Sequence, residues 1–224
     1  MAKYSRIEVV LKMKETGMIP VFFHKDIDIC RKIIEACYKG GARLFEFTNR
    51  GDRAHSIFGE LITWAEQKTP DMILGVGSVI DAGTTSLYIQ LGANFIVSPV
   101  LKEDMAVVCN RRKISWSPGC GSLTEISRAE ELGAEVVKIF PGSQVGGADF
   151  VKSVLGPCPW TSIMPTGGVA PTEENLSKWF NAGVHCVGMG SKLMIKNKQN
   201  QYDYQAIIEK TRESIEIIRK VRES

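Results

Sequence analysis

Residues 123–141, LTEISRAEELGAEVVKIFP, contain the repeating unit that decides the fold of this chain. Residues 123–132 have apolar side chains at helical spacing. Gly133 and Ala134 then end the helix, because glycine readily adopts the left-handed conformation that follows a helix. Residues 135–140 form a short, mostly apolar run, which is typical of a strand buried in a parallel sheet. The stretch therefore predicts a helix, a glycine stop and a buried strand.

The same unit recurs along the chain. Short β-type runs alternate with helical patterns, and pairs of glycine and alanine close several of the helices. No long linker or low-complexity segment interrupts the alternation. The β-type runs are residues 18–23, 43–48, 72–76, 94–98, 114–117, 135–140, 161–165 and 184–188, and the helical patterns are residues 26–39, 53–68, 85–91, 103–110, 123–132, 148–155, 172–181 and 202–221.

Eight such units predict either a closed barrel or an open, doubly wound sheet. An open sheet usually has a G-x-G-x-x-G turn after its first strand, and residues 24–27, HKDI, do not form one. The count of eight in 224 residues favours an α/β fold of the (β/α)8 TIM-barrel type. We expect residues 1–224 to form a single domain, with an extra N-terminal helix over residues 6–15 across the barrel bottom.

The composition argues against several classes of protein. The net charge is only +3 and the basic residues are mostly spread along the chain, so no nucleic-acid partner is expected. The N-terminus lacks the apolar segment of a signal peptide, and no run approaches the ~18 apolar residues of a membrane span, so we expect a cytoplasmic protein without a membrane partner. The six cysteines include no C-x-x-C pair, which predicts reduced thiols and no metal site.

Two ionisable residues lie inside otherwise apolar strands. Lys138 belongs to the run 135–140 and Glu46 to the run 43–48. Strands two and six are opposite each other in a ring of eight, and because both are even their inward side chains fall in the same layer. We therefore expect an amine and a carboxylate to face each other across the barrel mouth, at the end where such barrels carry their active sites.

This pair predicts covalent chemistry. Apolar surroundings lower the pKa of an amine through desolvation, and the neutral amine is the form that attacks a ketone. Glu46 is then the candidate carrier of the protons that imine formation and C–C cleavage move at one carbon. The alternative is that Lys138 extends from the strand end into solvent, with Glu46 as its ion-pair partner.

Further candidates stand at other strand ends. Arg50 follows Glu46 by four residues and suits a bidentate grip on a carboxylate, although it also fits a surface arginine. The seventh and eighth strands end in glycine-rich turns, where barrels commonly bind phosphate through backbone N–H groups. The alternative for these turns is a purely structural role. The candidate phosphate residues are Thr166, Gly167, Gly168, Gly190 and Ser191.

Taken together, five motifs resemble one enzyme family over residues 17–191. The motifs are FEFTNR (residues 45–50), GVGSV (75–79), SP (98–99), VKIFP (137–141) and PTGGV (165–169). The chain resembles the bacterial 2-keto-3-deoxy-6-phosphogluconate / 4-hydroxy-2-oxoglutarate aldolases. The resemblance implies a class I aldolase that reversibly splits a 2-keto-4-hydroxy acid into pyruvate and an aldehyde, without metal or cofactor, and that assembles as a homotrimer.

The resemblance also implies a role for each matching residue. Lys138 corresponds to the imine-forming lysine and Glu46 to the acid/base. The other implied roles concern substrate binding: Arg50 and Ser78 hold the pyruvyl carboxylate, Pro99 and Phe140 shape the pocket, and Gly167, Gly168, Gly190 and Ser191 bind the phosphate, with Thr166 beside them.

The chain departs from its relatives at three places. Ser78 replaces a threonine that many relatives have, and His24-Lys25 stands where many carry an arginine or lysine. Residues 142–144, GSQ, replace a small alanine-led loop. We expect these three positions to contact the distal end of the substrate, the half that differs between phosphorylated and unphosphorylated sugar acids.

Two rival functions remain at this point. The first is a phosphosugar epimerase or another phosphate-binding barrel enzyme, in which Lys138 is an electrostatic clamp and forms no imine. The second is a non-catalytic binding protein on the same scaffold.

Overall fold

The computed structural model describes residues 2–223, and the first and last residues of the chain lie outside it. The strands are β1 (Met18–Phe22), β2 (Leu44–Thr48), β3 (Ile73–Gly77), β4 (Phe95–Val97), β5 (Ser115–Ser117), β6 (Gly119–Cys120), β7 (Val137–Ile139), β8 (Ile163–Pro165) and β9 (Val187–Met189). The helices are α1 (Arg6–Thr16), α2 (Ile27–Lys39), α3 (Ala54–Lys68), α4 (Ala82–Gln90), α5 (Glu103–Arg112), α6 (Leu123–Glu131), α7 (Gly147–Leu155), α8 (Glu173–Phe180) and α9 (Tyr204–Glu223).

The strands curve into a ring of the TIM-barrel type. One parallel sheet has the order β5-β4-β3-β2-β1-β9 and a second has the order β6-β7-β8. The first strand, β1, pairs with the last strand, β9, and the strands β6-β7-β8 connect to β9 in turn, which is the pairing of a closed ring and not of an open, doubly wound sheet. A parallel bridge between Thr166 and Gly188 links the two sheets, and the His185 N–H donates to the Ile163 carbonyl oxygen at 2.8 Å. The α/β barrel prediction is therefore confirmed.

The fifth strand position differs from its prediction. The run 114–117 predicted one strand, but two short segments, β5 and β6, stand there on either side of Pro118. Proline has no backbone N–H to donate to a ladder, so the strand is interrupted at this residue. The second segment pairs with β7, and Gly119 lies opposite Lys138.

The N-terminal helix closes the bottom of the barrel, as predicted. Ser5 and Glu8 form a reciprocal capping box that fixes the first turn of α1. Val9 and Met13 on α1 are fully buried and join the bottom cluster, an apolar group formed mainly at the first residues of the strands. The other buried members of the bottom cluster are Ile19, Leu44, Ile73, Phe95, Val97, Val136, Met164 and Cys186.

Candidate active site

The side chains above the bottom cluster follow from strand alternation. Leu44 on β2 points into the bottom cluster, and since successive strand residues alternate sides, Glu46 and Thr48 point inward as well. Val136 likewise belongs to the bottom cluster, which places Lys138 on the inward side of β7. On each of these two strands, the inward-facing side chain thus changes from apolar to ionisable within two residues.

Lys138 is enclosed at the base of the barrel mouth. Lys138 is only 5% exposed to solvent, and its Nζ lies 4.8 Å from the centroid of the Phe140 ring. Burial lowers the pKa of the Lys138 amine, and the negative charge of Glu46 opposes this shift. The alternative of a lysine extending into solvent is therefore wrong.

Glu46 is buried even more completely, at 1% exposure, and its Oε2 has no hydrogen-bond partner among the described residues. Burial raises the pKa of the Glu46 carboxyl, while the positive charges of Lys138 and Arg50 oppose the rise. The neighbouring strand makes room for this side chain at Gly77, because a Cβ there would lie 1.7 Å from Glu46 Oε1. The carboxyl group thus occupies space that only glycine leaves open.

Glu46 and Lys138 lie close enough to influence each other without forming a direct ion pair. No described residue provides an acidic partner within 4.0 Å of the Lys138 Nζ, yet each group alters the pKa of the other. Burial moves both towards their uncharged forms. An uncharged amine is a nucleophile and a nearby carboxyl group exchanges protons with a bound molecule, so the pair has the requirements of imine chemistry.

Arg50 and Ser78 come together at one side of the mouth. Arg50 Nε lies 3.4 Å from Ser78 Oγ, although 28 residues separate them in sequence. Ser78 directly follows β3 and has a φ of 59°, which turns the chain beyond the strand end. A guanidinium and a hydroxyl at this spacing form a donor pair suited to a carboxylate.

Phe140 lies over the Lys138 amine, whereas Pro99 lies against the neighbouring strand. Phe140 follows β7 and covers the amine, as its ring distance shows. Pro99 lies against Gly119, where a Cβ would come within 2.3 Å of the Pro99 carbonyl oxygen. Because Gly119 pairs with Lys138, Pro99 stands one strand away from the amine.

A cavity of about 820 Å³, called here the mouth cavity, opens above these groups. Seven of the predicted site residues line it, whereas Lys138, Glu46, Ser78 and Pro99 are not among its lining residues. The seven are Arg50, Phe140, Thr166, Gly167, Gly168, Gly190 and Ser191.

The glycine-rich turn after β8 is held in place from outside the cavity. The Asn175 side-chain amide donates to the Gly168 carbonyl at 3.1 Å, and its oxygen accepts from the Ala170 N–H at 2.8 Å. Gly167 and Gly168 have φ values of 91° and 79°, which favour glycine. A Cβ on Gly168 would lie 2.4 Å from Ser143 Cβ, so this turn packs tightly against the loop after β7.

Sequence reasoning missed several residues of the mouth cavity. Thr48 points inward two residues after Glu46 and has a buried Oγ1 without a partner among the described residues, a position that strand alternation alone would have identified. The others come from the end of β1, from the turn after β8, from β9 and from the segment between β9 and α9. The missed lining residues include Phe22, Phe23, Lys192, Met194, Lys196 and Tyr202.

Known proteins of one kind match this chain in sequence. The family model "KDPG and KHG aldolase" matches residues 9–210. The 2-dehydro-3-deoxy-phosphogluconate aldolase of Pseudoalteromonas atlantica is 30% identical over 200 residues, covering 88% of this chain and 89% of that protein. The KHG/KDPG aldolase of Escherichia coli is 27% identical over 199 residues, covering 89% and 91%.

Solved structures agree with the sequence matches. The KDPG aldolase of Legionella pneumophila, solved with pyruvate captured as a covalent carbinolamine intermediate, has a TM-score of 0.80, 26% identity and coverage of 91% of this chain and 96% of that one. The 2-keto-3-deoxy-6-phosphogluconate aldolase of Zymomonas mobilis, solved with 3-phosphoglycerate, has a TM-score of 0.79, 25% identity and coverage of 94% and 96%. The chain therefore belongs to the KDPG and KHG aldolase family and is an aldehyde-lyase.

Proposed function

We propose that this chain reversibly cleaves a 2-keto-3-deoxy (phospho)sugar acid or 4-hydroxy-2-oxoglutarate to pyruvate and an aldehyde, through a Schiff base on Lys138. The observation that carries the proposal is the buried amine of Lys138 beneath an open cavity, with a buried carboxyl group as its electrostatic neighbour. The carbinolamine in the Legionella pneumophila relative supports the same chemistry.

The first half of the reaction forms the imine. The neutral Lys138 Nζ attacks the C2 keto carbon, and the resulting carbinolamine loses water to give a protonated imine. Glu46, at the base of the mouth cavity, is suited to moving the protons in these steps, because its raised pKa lets it hold a proton and release it again.

The second half breaks the C3–C4 bond. Glu46 accepts the proton of the C4 hydroxyl, the aldehyde leaves, and the bonding electrons pass into the imine to give an enamine. The protonated Glu46 then returns a proton to C3. Water adds to the imine carbon, pyruvate departs and the Lys138 amine is restored.

The binding residues divide between the two halves of the substrate. Arg50 and Ser78 hold the pyruvyl carboxylate through the donor pair described above, and Phe140 and Pro99 bound the space beside Lys138. The distal group, phosphate in the phosphorylated substrate, lies against the turns after β8 and β9. The residues proposed for it are Thr166, Gly167, Gly168, Gly190 and Ser191.

We also propose that residues 1–224 fold as one domain and that the protein is a cytoplasmic homotrimer without nucleic-acid or membrane partners. Arg222 on α9 donates to the Lys14 and His185 carbonyl oxygens, which joins the last helix to the barrel bottom. All six cysteines are free thiols, as a reducing compartment favours. Among the described residues, no helix is both long and apolar enough to cross a membrane.

Exposed apolar side chains support self-association. Four of them lie on α4, on α5 and in the loops that precede these helices, and exposed apolar side chains can mark protein contacts. Sedimentation velocity tests this proposal: the measured mass should be that of three chains, and the mass of a single chain would contradict it. The side chains are Ile80, Leu87, Val100 and Val107.

Trapping with borohydride tests the proposed chemistry. Incubation with pyruvate and borohydride should add a pyruvate-derived mass at Lys138, because reduction makes the imine permanent. Lys138→Ala should remove both the adduct and turnover, whereas Lys68→Ala, at an exposed lysine at the end of α3 and outside the mouth cavity, should retain both. Turnover without an adduct would indicate the epimerase alternative, and the absence of both from the wild type would indicate a binding protein.

A further inference from the structure

A second chamber adjoins the mouth cavity at the barrel rim. It has a volume of about 370 Å³ and shares Lys196 and Tyr202 with the mouth cavity. The two spaces therefore meet at these side chains, which belong to the segment between β9 and α9. The remaining residues of the second chamber are His24, Ile29, Asn200, Gln201 and Tyr204.

The segment that carries Lys196 and Tyr202 is a hairpin fixed by its own hydrogen bonds. Lys196 and Tyr202 form an antiparallel bridge, and the Asn197 N–H donates to the Gln201 carbonyl oxygen at 2.8 Å. The Asn197 side-chain oxygen accepts from the N–H groups of Gln199 and Gln201, each at 3.0 Å. An asparagine that bonds its own turn in this way fixes the loop locally, so Lys196 is presented at a defined position.

Lys196 is held on the cavity side of this hairpin. Its Nζ donates to Asn200 Oδ1 at 3.2 Å and lies 5.0 Å from the centroid of the Tyr202 ring. The Tyr202 ring in turn packs edge-on against Phe22 at 5.4 Å. No carboxylate of a described residue lies within 4.0 Å of the Lys196 Nζ, so its charge is available to a ligand.

The charge around both spaces has one sign. The charged residues lining the mouth cavity are Arg50, Lys192 and Lys196, and no aspartate or glutamate lines either space. Beside the hairpin, the end of β1 contributes Phe22 and Phe23 to the mouth cavity and no cation. The positive charge far from Lys138 therefore comes from Lys196 on the hairpin and from Lys192 on the segment that leads to it. This charge suits an anionic group at the far end of the substrate.

We propose that Lys196 acts together with the glycine-rich turns, which line the same cavity, in binding the anionic group at the far end of the aldehyde half of the substrate, and so selects aldehydes that carry a terminal phosphate or carboxylate. The proposal rests on the proposed aldolase function and names the substrate class that this site prefers. Lys196 is a specificity residue and not a catalytic one, because the groups that make and break bonds, Lys138 and Glu46, lie at the base of the mouth cavity.

Condensation assays with four aldehydes test this role. The acceptors are glyceraldehyde 3-phosphate, succinic semialdehyde, glyceraldehyde and glyoxylate, each with pyruvate. The first two carry a distal anion of different chemistry, the third has none, and the carboxylate of glyoxylate is adjacent to the reacting carbon. For Lys196→Gln, the KM of at least one of the first two should rise on the order of tenfold, because a charged hydrogen bond is lost.

The neutral and short acceptors should show KM values close to those of the wild type. The acceptor whose KM rises identifies phosphate or carboxylate as the preferred group. Lys196→Arg should restore most of the affinity because it keeps the charge. Lys198→Gln, on the same hairpin but outside both cavities, is the matched control and should behave as the wild type.

Two results would overturn the role of Lys196. One is an equal KM for the anionic aldehydes in Lys196→Gln and Lys198→Gln. The other is an equal rise of KM for glyceraldehyde, which would indicate a hairpin distortion. Failure of the aldolase function itself is distinguishable, because the wild type would then exchange no methyl protons of pyruvate with solvent, a reaction that needs no aldehyde.

Discussion

The two halves of the barrel interior differ in chemistry although the same strands build them. Leu44 and Val136 contribute to the bottom cluster, whereas Glu46 and Lys138, two residues later on the same strands, stand at the base of the mouth cavity. The lower half is apolar and closed by α1. The upper half contains buried polar atoms without hydrogen-bond partners among the described residues, on Glu46, Thr48, Ser117 and Thr166.

This difference separates stability from function along the barrel axis. Burying apolar side chains stabilises the fold, whereas each buried polar atom without a partner costs about 1–3 kcal/mol. Such atoms are tolerated where a bound molecule can satisfy them. Substitutions in the lower half should therefore affect folding, and substitutions in the upper half should affect catalysis.

After the complete loss expected for Lys138→Ala, the largest effect is expected for Glu46→Gln in the upper half. Exchange of pyruvate methyl protons, followed by NMR in deuterated solvent, should slow by a factor of about 100 to 10,000, because the proton carrier is lost. Some imine should still be trapped by borohydride. The free energy of unfolding should change by less than about 1 kcal/mol, since the amide has nearly the same shape. Unchanged exchange would show that another group carries the proton, and Glu66→Gln, on the surface of α3, is the control.

The same variant should differ from the wild type in the pH dependence of stability. Burial raises the pKa of Glu46 in the folded protein. The contribution of this carboxyl group to stability is therefore complete below its unfolded pKa and is lost as pH rises through its folded pKa. Because the amide does not titrate, Glu46→Gln should gain in stability relative to the wild type as pH rises.

An intermediate effect is expected for Met13→Ala in the lower half. Met13 is fully buried in the bottom cluster, so its truncation should lower the free energy of unfolding by about 2–5 kcal/mol in urea titrations. Turnover per folded molecule should remain close to that of the wild type. Leu11→Ala on the exposed side of the same helix should have little effect. A loss of activity without a loss of stability would break the separation between the two halves.

The smallest of these effects is expected for Arg50→Ala at the rim. The KM for pyruvate should rise about tenfold to a hundredfold, because a charge-assisted contact with the carboxylate is lost. The free energy of unfolding should not change measurably, since Arg50 is exposed. Arg53→Ala, at an exposed arginine in the same loop, is the control. Equal KM values in the two variants would make Arg50 an ordinary surface residue.

The sequence predicted the features of the fold that depend on local pattern. The alternation of apolar runs and glycine stops placed every helix and the strand order, but not the break at Pro118, whose effect depends on which neighbour each half-strand pairs with. Lys138 and Glu46 were found because an ionisable residue in an apolar strand is unusual.

The rim was predicted less completely. Lys196 lies in the polar stretch KNKQNQ (residues 196–201), which has no periodic pattern, and Tyr202 was predicted as the first residue of the last helix, which begins two residues later at Tyr204. Only three-dimensional contacts place this stretch beside the residues that follow β1. Its position after the last strand and its unusual length were the available signals, since βα loops commonly have 2–6 residues.

The space that Gly77 leaves for Glu46 has a consequence for any attempt to redesign this enzyme. A side chain of any size at position 77 collides with the carboxyl group on the adjacent strand. Variation at position 46 and variation at position 77 are therefore not independent choices. A library that varies one position at a time never combines a shorter acid, such as aspartate, at position 46 with a side chain larger than glycine at position 77. The two positions should therefore be randomised together.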